Sequence, residues 1–117
     1  MDFLTFVDKF FEKDRTKRLD KNKIVLLYEN EIIVKFPGYY YRLELEKEGI
    51  NSFRLDIPYK DSDGGHYLTF HGTYNFVKSI LVDLFTMDYM SFKLSYGKNK
   101  PDMSCINFDF EEIYKSL

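Results

Sequence analysis

A length of 117 residues favours one domain, and a chain of this size buries about 65% of its unfolded surface, enough for a core without metal or disulfide staples. Seventeen Lys/Arg against nineteen Asp/Glu leave a net charge of −2, which excludes an overall positive field drawing the chain to nucleic acid or an anionic membrane. Cys105 is the single cysteine, so no internal disulfide forms and a reducing compartment is expected.

The acidic start "MDF" lacks the basic-then-apolar layout of a secretory signal. No apolar run approaches the ~20 residues of a membrane span. A single globular, cytoplasmic domain over residues 1–117 is expected. Twelve Phe and ten Tyr supply the bulk of its core, while Ala and Gln are absent. Such a bias is what a compact gene of AT-rich codons gives. Charge is uneven along the chain: residues 1–23 carry seven Lys/Arg and five Asp/Glu, and the remainder is acidic.

The first segment, "DFLTFVDKFFEK", sets Phe3, Phe6, Val7, Phe10 and Phe11 at helical spacing with Asp2 as N-cap, predicting a helix near 2–14. The charged connector "DRTKRLDKNK" comes next. "KIVLLYENEIIVKF" reads as a hairpin around Glu29–Asn30 in which Val25, Leu27, Ile32, Val34 and Phe36 share one face. In "PGYYYRLELEKEG", Tyr41, Leu43 and Leu45 alternate with Arg42, Glu44 and Glu46, the pattern of a half-buried strand. "SFRLDIPY" repeats it with Phe53, Leu55 and Ile57 inward, and "HYLTFH" is a fifth short strand.

A second helix is predicted near 74–87, with Val77, Ile80, Leu81, Leu84 and Phe85 as its buried stripe. "MSFKLSYG" and "MSCINF" read as two further strands, giving about seven. Asp109 and Glu112 stand in capping-box positions ahead of a short C-terminal helix. Short connections exclude parallel crossovers. The expected fold is therefore α+β: an antiparallel meander with two main helices and a short C-terminal helix on one face.

Several clusters invite a chemical reading. "DSDGGH" (61–66) begins like a calcium loop, but Gly65, His66 and Gly72 occupy positions where an EF-hand needs a ligand, a glycine and a glutamate. It is read as a turn, with no metal and no cofactor expected. His66 and His71, five apart on a strand, point to opposite faces and cannot share a zinc. Cys105 lacks a base. Glu44, Glu46 and Glu48 resemble a carboxylate cluster, yet Arg42, Lys47 and Arg54 are placed to neutralise them. The basic run Lys13–Lys23 is interrupted by acids, and no recognition helix or RNA-binding strand motif accompanies it, so nucleic acid is not the expected partner.

The tyrosines remain. Alternation sends Tyr40 away from the core, and Tyr39, Tyr59 and Tyr67 add to the same surface, with Arg42 and Glu44 as polar companions. Large rigid rings with polar tips suit a protein-binding face. The leading expectation is a non-enzymatic, macromolecule-binding protein that works by docking. It would suit a phage or mobile-element inhibitor of a host defence nuclease, of the anti-CRISPR kind, or an immunity protein against a toxin. The alternatives are a small enzyme assembling His66 or His71 with Asp61 or Glu44, and a structural homo-oligomer such as a homodimer.

Overall fold

The computed structural model describes residues 1–12, 19–21, 24–36, 41–59 and 66–117. The elements are α1 (Phe3–Glu12), β1 (Leu19–Lys21), β2 (Val25–Leu27), β3 (Glu31–Lys35), β4 (Arg42–Gly49), β5 (Ser52–Pro58), β6 (Tyr67–Gly72), α2 (Tyr74–Thr86), α3 (Tyr89–Tyr96) and α4 (Phe110–Lys115), with a 3-10 turn at Met103–Cys105. The six strands form one antiparallel sheet in sequence order, β1 to β6.

Register follows the apolar period. Leu27 pairs with Ile32 and Val25 with Val34, then Leu45 with Leu55 and Leu55 with Phe70. Alternate residues of β2 to β5 therefore reach one face, where Val25, Leu27, Ile32, Val34, Leu43, Leu45, Phe53, Leu55 and Ile57 are all buried in one continuous core. The helices close that face. Phe6, Val7 and Phe10 of α1, Leu81 and Leu84 of α2, Phe92 of α3 and Phe110 and Ile113 of α4 join the same core. Aromatic contacts stitch it: Phe3 lies 5.5 Å from Phe85 and 5.3 Å from Phe110, and Phe11 meets Phe53 edge-on at 5.3 Å.

The caps match the sequence. Asp2 Oδ1 accepts the Thr5 N–H at 2.8 Å, Thr73 Oγ1 that of Phe76, and Asp109 Oδ1 that of Glu112. A polar pin joins α1 to α2: Lys78 Nζ donates to Asp8 Oδ1 at 2.6 Å and to the Leu4 carbonyl at 2.9 Å, and the Tyr74 hydroxyl donates to Asp8. Burial acts to raise the Asp8 pKa, but these donors and the Lys78 charge outweigh it and hold the carboxyl below its usual range. The same burial and the facing carboxylate push the Tyr74 phenol far up.

Two of the seven expected strands are helical. "MSFKLSYG" lies in α3, whose N-cap Asp88 accepts the Ser91 N–H at 2.7 Å and whose C-terminus closes on Gly97 at φ 72°. Such a left-handed position is one that glycine occupies without strain. The alternation Phe92, Leu94, Tyr96 imitates a strand, but only Phe92 and Tyr96 turn inward, one helical turn apart with ring centroids at 4.7 Å. Leu94 is 79% exposed. "MSCINF" holds the 3-10 turn, started by Asp102 accepting the Ser104 N–H and closed by the Ile106 N–H on the Met103 carbonyl. In the other direction, β1 is a strand within the charged connector, pairing Leu19 with Leu27.

Phe92 and Leu94 separate the two readings of this segment experimentally. Phe92→Ala is expected to cost about 3–5 kcal/mol in denaturant unfolding, as for other buried Phe truncations. Leu94→Ala should stay within about 0.5 kcal/mol. A strand would bury both and make both substitutions costly.

Candidate functional site

Every described helix packs on one side of the sheet, so the other side presents the alternate residues of β3 to β6. Across it run two rungs: Ile33, Glu44, Asp56 and Thr69 in one, and Glu31, Glu46, Arg54 and His71 in the next. Arg54 is the hub. Its Nη2 lies 2.9 Å from Glu46 Oε2 and 3.6 Å from Glu44 Oε2, while its Nε lies 3.0 Å from Asp56 Oδ2. The Nε contact is Coulombic, since it lacks the alignment of a hydrogen bond. Arg42 Nε completes the ladder at 3.3 Å from Glu44 Oε1, and Thr69 Oγ1 donates to Asp56 Oδ1 at 2.7 Å. At the far edge His71 Nδ1 meets Glu48 Oε1 at 3.0 Å.

Among the described residues, four carboxylates (Glu31, Glu44, Glu46, Asp56) thus share this face with Arg42, Arg54 and, opposite Arg42, Lys35. Two of these carboxyls, Glu44 and Glu31, have raised proton affinities, chiefly because they are partly buried. Burial raises the Glu44 carboxyl pKa, Asp56 adds to it, and Arg42 and Arg54 only partly offset the rise. Burial likewise raises Glu31, reinforced by Glu44 and Glu46. Arg54 is held all the more firmly charged by the surrounding carboxylates, against its own desolvation.

Arg42, Glu44, Asp56, Tyr67 and Thr69 line a shallow cleft of about 210 Å³ at one end of this face. Three of the sequence-predicted binding residues, Arg42, Glu44 and Tyr67, therefore come together. Tyr59 stands just beyond β5, stacked on His66 at 5.8 Å with Lys98 Nζ 4.8 Å above its ring. Tyr39 and Tyr40 lie outside the described residues, as do Asp61 and Asp63 and, of the basic run, Lys13, Arg15, Lys17, Arg18 and Lys23.

Tyr41 is buried, as the alternation predicts. It stands apart from the continuous core and meets Tyr67 edge-on at 6.4 Å. Its carbonyl accepts the Phe36 N–H at 3.0 Å, which continues the β3–β4 register by one more pair. Asp56 and Thr69 are the cleft residues that sequence reasoning missed. The signal was there: Asp56 shares the Glu44 rung once the β4–β5 register is set.

Other candidates resolve plainly. His66 and His71 serve different surfaces, one on Tyr59 and one on Glu48. The Cys105 thiol is pushed up by burial and by Asp102, against thiolate chemistry. Among the described residues, no group of three His, Cys, Asp or Glu is placed to hold a metal ion. A second concavity of about 390 Å³, lined mostly by apolar side chains including Phe3, Phe85, Met103 and Phe108, lies where α1, α2 and the 3-10 turn meet. No described helix is long and apolar enough to cross a membrane. No protein-family model, curated protein or solved structure matches the chain.

A raised folded-state pKa means that the Glu44 carboxylate costs stability at neutral pH, a cost that disappears as pH falls through that pKa toward the ordinary value of 4.5. Glu44→Gln should therefore unfold at higher urea than the parent at pH 7. The difference should shrink on acidification and be gone below the ordinary carboxylate value. A less stable variant at pH 7 would mean that the Arg42 and Arg54 pairs outweigh desolvation.

Proposed function

We propose that the protein acts by docking on another macromolecule through the helix-free face of its sheet, without catalysis. The observation that supports this most is the convergence of Arg42, Glu44, Asp56, Tyr67 and Thr69 around one cleft on that face. It joins an aromatic ring and a guanidinium, residue types that carry binding energy at protein interfaces, with partly buried carboxylates that give selectivity by charge. Tyr59, under Lys98, extends the aromatic surface beyond β5.

The charge on the face indicates the partner. Four carboxylates against Arg42, Arg54 and Lys35, with Glu31 and Glu44 already resisting ionisation, favour a partner that brings positive groups. Nucleases carry such groups where they hold phosphates. An inhibitor of a defence nuclease, encoded by a phage or mobile element as anti-CRISPR proteins are, fits this chemistry, as does an immunity protein against a nuclease toxin. The compact, AT-biased composition agrees with either source.

Affinity capture with the tagged chain from a host lysate, followed by titration against the captured protein, tests the reading. Arg42→Ala combined with Tyr67→Ala should weaken that protein's binding at least tenfold, about 1.4 kcal/mol, with the fold retained by circular dichroism. Glu111→Ala, exposed on α4 at the opposite side, should leave it unchanged. Equal loss in both variants, or none in either, removes the outer face from the interface.

A further inference from the structure

The sheet has two edges, and they are treated differently. β1 is three residues long, "LDK", preceded in sequence by Lys17 and Arg18. Shortness and charge are the usual protection of an edge strand. β6 is six residues, "YLTFHG", with no Lys, Arg, Asp, Glu or Pro. Tyr, Thr and Phe are strong strand formers.

The hydrogen-bond phase shows which groups β6 leaves open. The Tyr59 N–H donates to the His66 carbonyl, so 59 and 66 form a hydrogen-bonded pair. Pairs of this kind recur every second residue in an antiparallel ladder, which makes Ile57–Leu68, Leu55–Phe70 and Phe53–Gly72 the others. The Lys47 N–H on the Asn30 carbonyl and the Lys35 N–H on the Ile24 carbonyl fit the same phase through the rest of the sheet. Tyr67, Thr69 and His71 therefore turn their N–H and C=O groups away from β5. Among the described residues these six groups have no hydrogen-bond partner.

We infer that a second copy of this chain pairs on that edge, β6 against β6, antiparallel about a two-fold axis at Thr69. The register selects itself. Outward groups meet outward groups only when the two residue numbers are both odd, and centring on Thr69 uses all three residues: Tyr67 opposite His71 of the second copy, Thr69 opposite Thr69, His71 opposite Tyr67. Between them Leu68 stands opposite Phe70 of the second copy on the core side. Both side chains are only partly buried in the single chain, so pairing covers them.

No charge opposes a like charge across this seam, whereas the neighbouring rungs carry Glu44, Asp56, Glu46 and Arg54. Gly72 limits the strand at its end: a Cβ there would meet Phe76 Cδ2 at 2.5 Å. The Phe76 ring is itself 46% exposed, beside the seam. The product is a twelve-stranded continuous sheet built from two copies of a six-stranded one, a closed isologous dimer.

This inference is independent of the docking reading, because its test uses the purified chain alone. Sedimentation equilibrium across the micromolar range should show a dimer. Thr69→Lys places two ammonium groups opposite each other and should give a folded monomer, as should Thr69→Glu. Mixing the two should restore a dimer containing one of each. Thr69→Pro is the second route to a monomer, since it removes an outward N–H and spares the β5 ladder. A parent chain that is monomeric throughout overturns the inference. So does a dimer that survives Thr69→Lys and Thr69→Pro, or a Lys/Glu mixture that fails to associate. If β6 amides gain hydrogen-exchange protection only when a different protein is added, a partner's strand and not a second copy occupies the edge.

Discussion

A β-strand shows its side chains to two faces alternately, and every described helix of this chain packs against the same one. That asymmetry decides how each surface is built. The core can be very apolar, because four helices and one sheet face surround it and twelve phenylalanines are available to fill it. The opposite face must then be stable with no described helix to cover it. It must also resist association with anything apolar. The sequence meets this with Arg42, Glu44 and Glu46 on β4 and Arg54 and Asp56 on β5, held in a ladder around Arg54.

Partly exposed ion pairs contribute little to stability, typically about 0–1 kcal/mol each. The ladder is better understood as orientation than as glue. One guanidinium shared among Glu44, Glu46 and Asp56 fixes three carboxylates in a plane above the sheet and leaves acid in excess. Burial raises the proton affinities of Glu31 and Glu44, and the neighbouring carboxylates add to it. The Asp8 pin between α1 and α2 has the opposite sign, because there one carboxylate receives two donors. A carboxylate with surplus donors rewards the fold it sits in, while one short of donors is available to something that brings them. This contrast separates the Asp8 cluster, which joins two helices, from the Arg54 cluster on the outer face.

Much of the fold is legible in the chain, and for identifiable reasons. Phe3, Phe6, Val7 and Phe10 repeat with a period that only a helix satisfies, and Leu43, Leu45, Phe53, Leu55 and Ile57 with one that only a strand does. The register comes from the Glu29–Asn30 turn and from matching apolar faces. α3 escapes this kind of reading because Phe92, Leu94 and Tyr96 alternate like a strand over a short window. Its ends carry the answer, with Asp88 as N-cap and Gly97 as a left-handed C-terminus. The 3-10 turn after Pro101 has no period at all. Of the site, the shared face of Arg42 and Glu44 is readable from alternation alone, whereas bringing Tyr67 beside them needs the strand pairing. Asp56 and Thr69 need the pairing of β4, β5 and β6, a long-range fact that no local pattern states.

The charged face and the uncharged edge belong to one design problem. A sheet open on one face and at its ends can be approached in two ways, onto the face or alongside the last strand. Charges on β4 and β5 make approach onto the face selective for a partner of complementary charge. The same device could have protected β6, as it does β1 in sequence, and it is missing there. Thr69 and Tyr67 sit where the two surfaces meet: their side chains line the cleft, and their backbone groups form the open edge. Anything that pairs with β6 therefore borders the cleft, and doubling the sheet would set two acidic faces side by side on one surface. A partner with a long basic groove would then meet twice the complementary charge in one encounter, which raises effective local concentration without a new kind of contact.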